Sequence, residues 1–462
     1  MKFKENLEMW EKFPAGHIAT GEQLAELLVT SQTSKNVPQS MWGRMRRVLE
    51  RHAPFDSKTK TKDAERETQR CRCFSDIGIY PETVEDLISA FVKSRNVVMK
   101  FDGRFTFRGK NSNANYIENM IYLWCEKLKL FNNKKAISAA FQNWQSDEDD
   151  RQLAEAVDRV RYDPSIDPQQ TELNKLVQLI VADAGNPSDT ARNQSAAETA
   201  LSSFIYRVKN HMRGQWKHGD HLMPIFHGRQ GCGKTTLVNH LLSQIEGFGS
   251  EIGFEMLRDN SSFYQLSKMP VMFFDEMAGI GKADVETLKG VMTSTGRQMR
   301  QAYQTASVKT VVSTFIGCSN RDIRTLIRDE TGNRRFLQID MKHTGRDEIH
   351  QIDMLKIWRS INEDDVAPIY ANKQLVQSVQ HQQRYQSPIE EWLDTMPMTG
   401  PTKAATLFTK EYRHWLDEHY PGDTKFANAQ KFGMELTRLA KEGLTNRLNI
   451  TNKQGVNYYN IV

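Results

Sequence analysis

Gly228-Arg229-Gln230-Gly231-Cys232-Gly233-Lys234-Thr235 constrains this chain more than any other stretch. It fits the pattern G-x-x-x-x-G-K-[ST], a loop that cradles phosphates. Glycines at these places let the backbone fold tightly, so that successive N–H groups turn inward onto phosphate oxygens. Lys234 then reaches the β- and γ-phosphates, and the Thr235 hydroxyl is placed to hold Mg²⁺. Residues 236–242 read as a helix whose N-terminal dipole favours an anion. Residues 222–226 read as the buried strand before the loop, although Pro224 is out of keeping with a central strand. The candidate nucleotide site is therefore Gly228, Gln230, Gly231, Cys232, Gly233, Lys234, Thr235 and Thr236. A chance glycine-rich turn would need to match each fixed position in strand–loop–helix order.

A second element follows downstream. The apolar run Val271-Met272-Phe273-Phe274 ends in Asp275-Glu276. An Asp at the end of a buried strand holds Mg²⁺, and the following Glu orients or deprotonates an attacking water. Such a run is common by itself; at this distance after a phosphate loop it points to hydrolysis, because a mere binder has no need of the second carboxylate. A third strand, predicted over 309–320, ends in Asn320, which is placed to touch the γ-phosphate or the water. A plain strand-end cap is the bland reading of that Asn. Then comes Asp329-Glu330-Thr331-Gly332-Asn333-Arg334-Arg335-Phe336, a turn followed by two arginines.

With these residues in place, the stretch 222–340 resembles the virulence-associated E (VapE) type of superfamily 3 helicase, within the AAA+ class. The resemblance rests on 230–235, Leu288-Lys289, 300–303, 316–320 and above all 329–336. It implies a hexameric ring that moves along DNA, in the 3′ to 5′ direction, for the replication of a phage, satellite or genomic island. It implies ATP and Mg²⁺ as cofactors, with Lys234 and Thr235 on phosphate and metal, Asp275 and Glu276 on metal and water, and Asn320 on the γ-phosphate. Arg334 or Arg335 would be the finger presented to the neighbouring subunit. Helicases of this class also insert a hairpin into the pore. Residues 293–309 read as a loop and hairpin in which Arg297, Arg300 and Lys309 meet phosphates and Tyr303 stacks on a base, or as a solvated basic loop. The short turn at 278–282 departs from the longer charged run of many relatives.

Composition bounds the rest. The chain's 462 residues suffice for several domains. No apolar run approaches the length of a transmembrane helix, and the charged start carries no secretory pattern, so a cytoplasmic protein without a membrane partner is expected. Five cysteines without a pairing framework or a completed ligand set give no disulfides and no zinc. The net charge of +5 is uneven: residues 31–110 hold 17 Lys or Arg against 10 Asp or Glu, which points to an anionic partner for the N-terminal part.

The organisation expected is multi-domain α/β. A basic region over 1–145, α+β and helix–turn–helix-like, precedes a linker and helical collar at 146–200. An AAA+ type P-loop ATPase core follows at 201–345, then a helical connector at 346–386 and a winged-helix-like domain at 387–462. Thr20 and Gln23 cap a first helix, and residues 39–51 form a second. Its Arg44, Arg47 and Arg51 lie on a DNA groove or backbone, or on a solvated face. Residues 56–70 read as a mobile basic loop and 145–170 as a linker. Asp102-Gly103 closes a hairpin that is either a nucleic-acid wing or a core sheet. The C-terminal helix–helix–hairpin order fits DNA or a protein. The partners expected are single-stranded and forked DNA, with an origin duplex as a further one, copies of the chain itself, and a separate primase or polymerase. Rival functions are an origin-binding initiator that melts or loads, and an ATPase switch or scaffold in phage defence or regulation.

Overall fold

A computed structural model of the chain describes residues 2–12, 39–52, 60–128, 130, 133–167, 171–215, 219, 221–257, 263–277, 279–294, 297–299, 307–327 and 334–462. They form two compact units. The first comprises Met1–Asp163, His211–Gln215 and Leu242–Ser250; the second comprises Pro164–Asn210, Trp216–Leu241 and Glu251–Val462.

The first unit opens with helices α1 (Lys2–Lys12), α2 (Gln39–His52) and α3 (Lys60–Ile77). The predicted first helix at 20–28 lies outside the described residues, whereas α2 matches the expected second one. Helix α3 corrects the loop expected at 56–70, whose residues 60–70 are helical; 56–59 lie outside the described residues. Its lysines and arginines hide a stripe at helical spacing: Ala64, Thr68 and Cys71 are buried, and the Thr68 hydroxyl donates to the Ala64 carbonyl.

Helix α4 (Val84–Ser94) starts at a capping box between Thr83 and Asp86. Strands β1 (Val97–Met99) and β2 (Phe105–Phe107) pair antiparallel across the expected turn, and β3 (Lys110–Ser112) adds a third strand. Val97, Met99 and Phe105 join Phe91, Ile121 and Phe141 in one core, so the hairpin's inner face is a core sheet. Helices α5 (Ala114–Leu128) and α6 (Lys134–Arg159) complete the unit. Helix α6 corrects the linker expected from 145. Acidic residues that looked like a linker are paired at helical spacing, Arg151 with Glu148 at 2.6 Å and with Glu155 at 2.5 Å.

In the second unit, α7 (Glu172–Ile180) and α8 (Pro187–Met212) precede a sheet. The chain then runs β4 (Met223–His227), α9 (Lys234–Leu242), β5 (Val271–Phe274), α10 (Lys282–Thr293), β6 (Arg297–Met299), β7 (Ser307–Lys309), β8 (Thr314–Ser319) and β9 (Phe336–Asp340), with β6 and β7 forming a separate hairpin. The order β9-β4-β8-β5 is parallel throughout, with a short strand ending at Glu251 beyond β5. Strands β5 and β8 are buried along their whole length, as parallel strands covered on both faces must be. Pro224 fits because the Met223 N–H faces β9, where it meets the Arg335 carbonyl. The missing N–H of Pro224 would face β8, whose pairing with β4 begins only at Ile225. The strand expected over 309–320 is two elements: β7 pairs back on β6, and β8 starts at Thr314.

Helices α11 (Met354–Ser360) and α12 (Lys373–Gln382) follow, with a short helical turn at Pro368–Ala371. The tail runs α13 (Pro388–Thr395), β10 (Thr402–Lys403), α14 (Lys410–His419), α15 (Ala429–Lys441), β11 (Leu448–Lys453) and β12 (Val456–Ile461). Its sheet order is β10-β12-β11, and Trp392, Tyr412, Phe432 and Leu436 form its core. Helix, helix and hairpin thus occur in the expected sequence.

Candidate nucleotide site

The sheet's polarity builds the site. Parallel strands present their carboxyl ends on one edge, and ligands of open α/β sheets sit there. The loop 228–233 leaves β4 at that edge and enters α9. Gly317 of β8 is the register partner of both Ile225 in β4 and Phe274 in β5. Asp275 and Glu276 after β5, and Asn320 after β8, therefore emerge beside the loop. A cleft of about 600 Å³ is lined by Gln230, Gly231, Gly233, Lys234, Thr235, Thr236, Asp275, Glu276 and Asn320. These residues, scattered in sequence, are brought together as expected.

Two contacts define its interior. The Thr235 hydroxyl donates to Asp275 Oδ1 at 2.6 Å. Lys234 Nζ folds back on its own loop, donating to the carbonyls of Gly228 at 2.7 Å and Arg229 at 3.0 Å. Gly233 sits at φ +99°, and a Cβ there would lie 2.9 Å from Ile349 Cδ1 and 3.0 Å from the Thr344 carbonyl oxygen. Only glycine satisfies both the backbone and the space. Cys232 is buried beneath the loop rather than lining the cleft, and Gly228 lines an adjoining cavity. Burial, and then the charge of Asp275, push the Cys318 thiol well above its ordinary range, so it is neutral.

The sequence reading missed His343, Thr344, Gly345 and Arg346, which also line the cleft. Their one local signal is a capping box: the Gly345 N–H donates to Glu348 Oε2 at 2.8 Å and starts a helical turn at Arg346. It also missed His227 and Asp340, the register partners that end β4 and β9, whose side chains meet at 2.6 Å.

Arg334 and Arg335 lie elsewhere. They precede β9, at the amino edge of the sheet, and the Arg335 carbonyl accepts from the first residue of β4. A five-residue strand spans about 16 Å, so the arginines sit at the end of the sheet opposite the phosphate loop. The first five residues of that motif, 329–333, are outside the described residues.

The candidate DNA contacts divide. Arg297 and Lys309 are register partners of the β6–β7 hairpin, so a hairpin is present where expected. Arg300 and Tyr303 lie outside the described residues. Arg44 is held by Glu11 of α1, and Arg51 donates to the Glu11 carbonyl at 2.9 Å, whereas Arg47 is exposed. The guanidinium of Arg44 lowers the Glu11 pKa. The structure thus gives Arg44 and Arg51 a role in joining two helices.

A parallel α/β domain with this strand–loop–helix is the class that fold and site define. Residues 174–387 match the virulence-associated protein E-like domain. Among curated proteins no significant match is found. Solved structures give distant likenesses. One apo structure of the NrS-1 C-terminal region is 16% identical, covering 63% of this chain and 66% of that one, at a TM-score of 0.37. A second is 12% identical, covering 83% and 99%, also at 0.37. The X-ray structure of JCV helicase is 14% identical, covering 65% and 85%, at 0.29.

Proposed function

We propose that this protein is an ATP-dependent DNA helicase that serves the replication of a mobile element and works as a ring of copies, with six as the expected number. The observation that carries the reading is the Thr235–Asp275 contact at 2.6 Å, in a cleft that also holds Lys234, Glu276 and Asn320. A hydroxyl and a carboxylate converging beside a phosphate loop are the donor set that Mg²⁺ takes in nucleoside triphosphatases. The residues therefore fit the ion. Mg²⁺, when bound, neutralises charge on the β- and γ-phosphates.

The chain's own residues would do the rest. The loop N–H groups and Lys234 hold the phosphates, and Lys234 exchanges its two carbonyl partners for them. Glu276 accepts a proton from the attacking water, and Asn320 fixes the γ-phosphate or the water. Arg334 and Arg335, at the far edge of their own sheet, would act on the cleft of an adjacent copy. The β6–β7 hairpin is the element proposed to follow a DNA strand. A primase or polymerase would be a separate partner.

Unwinding of a forked DNA with a labelled strand tests this, comparing the intact chain with Lys234→Ala. Unwinding by the wild type alone is expected. Hydrolysis of ATP with the fork left paired would remove the helicase reading and favour an initiator or switch.

A further inference from the structure

Three side chains of the first unit gather around one ring, that of Phe107 at the end of β2. The Arg108 guanidinium lies over it, 5.2 Å from the centroid, and the Tyr116 ring of α5 meets it edge-on at 5.9 Å. Lys110 is its register partner in β3, and opposite residues share one face of a sheet. Phe107 also stacks on Phe91 of the core, with 6.3 Å between centroids, which holds the ring in place. Tyr116 is 48% exposed. Arg108 and Lys110 are exposed too, and neither has a carboxylate partner among the described residues. Arg104, by contrast, is held by Asp102. No Asp or Glu occurs from 103 to 117.

The backbone adds an independent observation. Arg108-Gly109 is a two-residue turn between β2 and β3 in which both residues have positive φ, +51° and +78°. Turns of this kind favour Asn-Gly, because a larger side chain in the left-handed region is strained. The chain does use asparagine for such a backbone at Asn96, φ +49°. At 108 it keeps an arginine, whose one ring or polar side-chain contact among the described residues is Phe107. Neither burial nor an ion pair offsets that strain, so the exposed charge itself is the feature retained.

An exposed tyrosine ring, a guanidinium plane and an ammonium around one fixed ring are what a single nucleic-acid strand uses. A base stacks on the ring or the guanidinium plane, and the cations meet the phosphates beside it. In a duplex the base faces are already stacked on one another. An acidic protein would engage the cations and leave the tyrosine ring idle. We propose that Phe107, Arg108, Lys110 and Tyr116 form a stacking platform for single-stranded nucleic acid. It lies in the first unit, whereas the β6–β7 hairpin belongs to the second. That the strand is DNA rests on the helicase reading; the platform does not.

The test uses the full chain without ATP, titrated with fluorescent oligo-dT over a series of salt concentrations. Tyr116→Ala should weaken binding about fivefold or more, with the slope of log affinity against log salt unchanged. Tyr116→Phe should bind as the wild type does. Arg108→Asn with Lys110→Gln should weaken binding several-fold and lower that slope by about 1.4, two phosphate contacts on a single strand. Arg108→Asn alone should lose affinity while Tm stays level or rises, since asparagine suits the turn. Affinities that stay within twofold in all of these variants overturn the platform, and so does a loss in Arg108→Asn that comes with a fall in Tm. Oligo-U of the same length separates the two readings: if it alone binds, with the same variant effects, the platform stands and DNA is not its strand.

Discussion

Removing the Thr235–Asp275 pair should separate turnover from stability. The Thr235 side chain is exposed, and its hydrogen bond to Asp275 spans 2.6 Å. Without nucleotide, breaking it costs about 1 kcal/mol. For a unit of this size that moves Tm by a few degrees at most. With a divalent ion the same atoms matter far more. An ion of charge two about 4 Å from a carboxylate gains roughly 8 kcal/mol at an effective dielectric near 20. Desolvation and the remaining ligands cancel most of this, leaving a few kcal/mol, or on the order of 100-fold in rate. Thr235→Ala and Asp275→Asn should each lower kcat by that order. The double variant should be little worse than the poorer single one, because both residues act on one ion. The assay is phosphate release at saturating ATP over a Mg²⁺ titration, with thermal unfolding of each variant alongside. Losses that multiply to about 10⁴-fold, or a Tm fall large enough to explain the inactivity, would refute the shared-ion argument.

Four further outcomes are expected. Gly233→Ala forces a side chain into a left-handed backbone against Thr344 and Ile349, so nucleotide protection against thermal unfolding should be lost even where the chain still folds. Lys209 and Glu363 form a buried pair at 2.5 Å, with Lys209 also donating to the Ile361 carbonyl at 2.6 Å; Glu363→Gln should cost about 3–5 kcal/mol in urea unfolding, and a loss below about 1 would deny the pair its weight. Backbone hydrogen bonding from Thr83 lowers the Asp86 pKa, so its contribution is complete above the ordinary Asp range and fades as pH falls through the lowered value; Asp86→Asn should flatten the acid limb of a Tm–pH profile, and an unchanged limb would contradict this. Mixing Lys234→Ala chains with chains carrying both Arg334→Ala and Arg335→Ala should restore part of the hydrolysis that each lacks; a mixture no more active than its components would deny action in trans.

Much of the site was legible because its chemistry sits at strand ends. Asp275, Glu276 and Asn320 each close an apolar run, and a parallel sheet turns runs that end together into a shared edge. What the chain could not reveal depends on which strands are neighbours. His227 and Asp340 meet only because β9 lies beside β4, and no local pattern announces that pairing. The same neighbour carries Thr344 and Arg346 over the phosphate loop. Helices α3 and α6 depart from expectation for another reason: a run of charge does not by itself mark a loop. In α3 the lysines and arginines surround a buried Ala64–Thr68–Cys71 stripe, and in α6 the acids are ion-pair partners one turn from arginine. Arg44 shows the same effect at a single residue, since its partner Glu11 lies in a helix that charge counting along α2 never meets.

The position of the tandem arginines follows from the same polarity. A strand that delivers Asp340 to the phosphate edge must begin at the opposite edge, and Arg334 and Arg335 immediately precede it. Their backbone cannot move to the cleft without withdrawing β9 from β4, which would break the parallel pairing from Met223 to His227. A role for them in hydrolysis therefore requires a second copy of the chain, whereas a role in holding a strand does not. That difference is why oligo-dT affinity and mixed-chain hydrolysis, measured on the same arginine variants, separate the two.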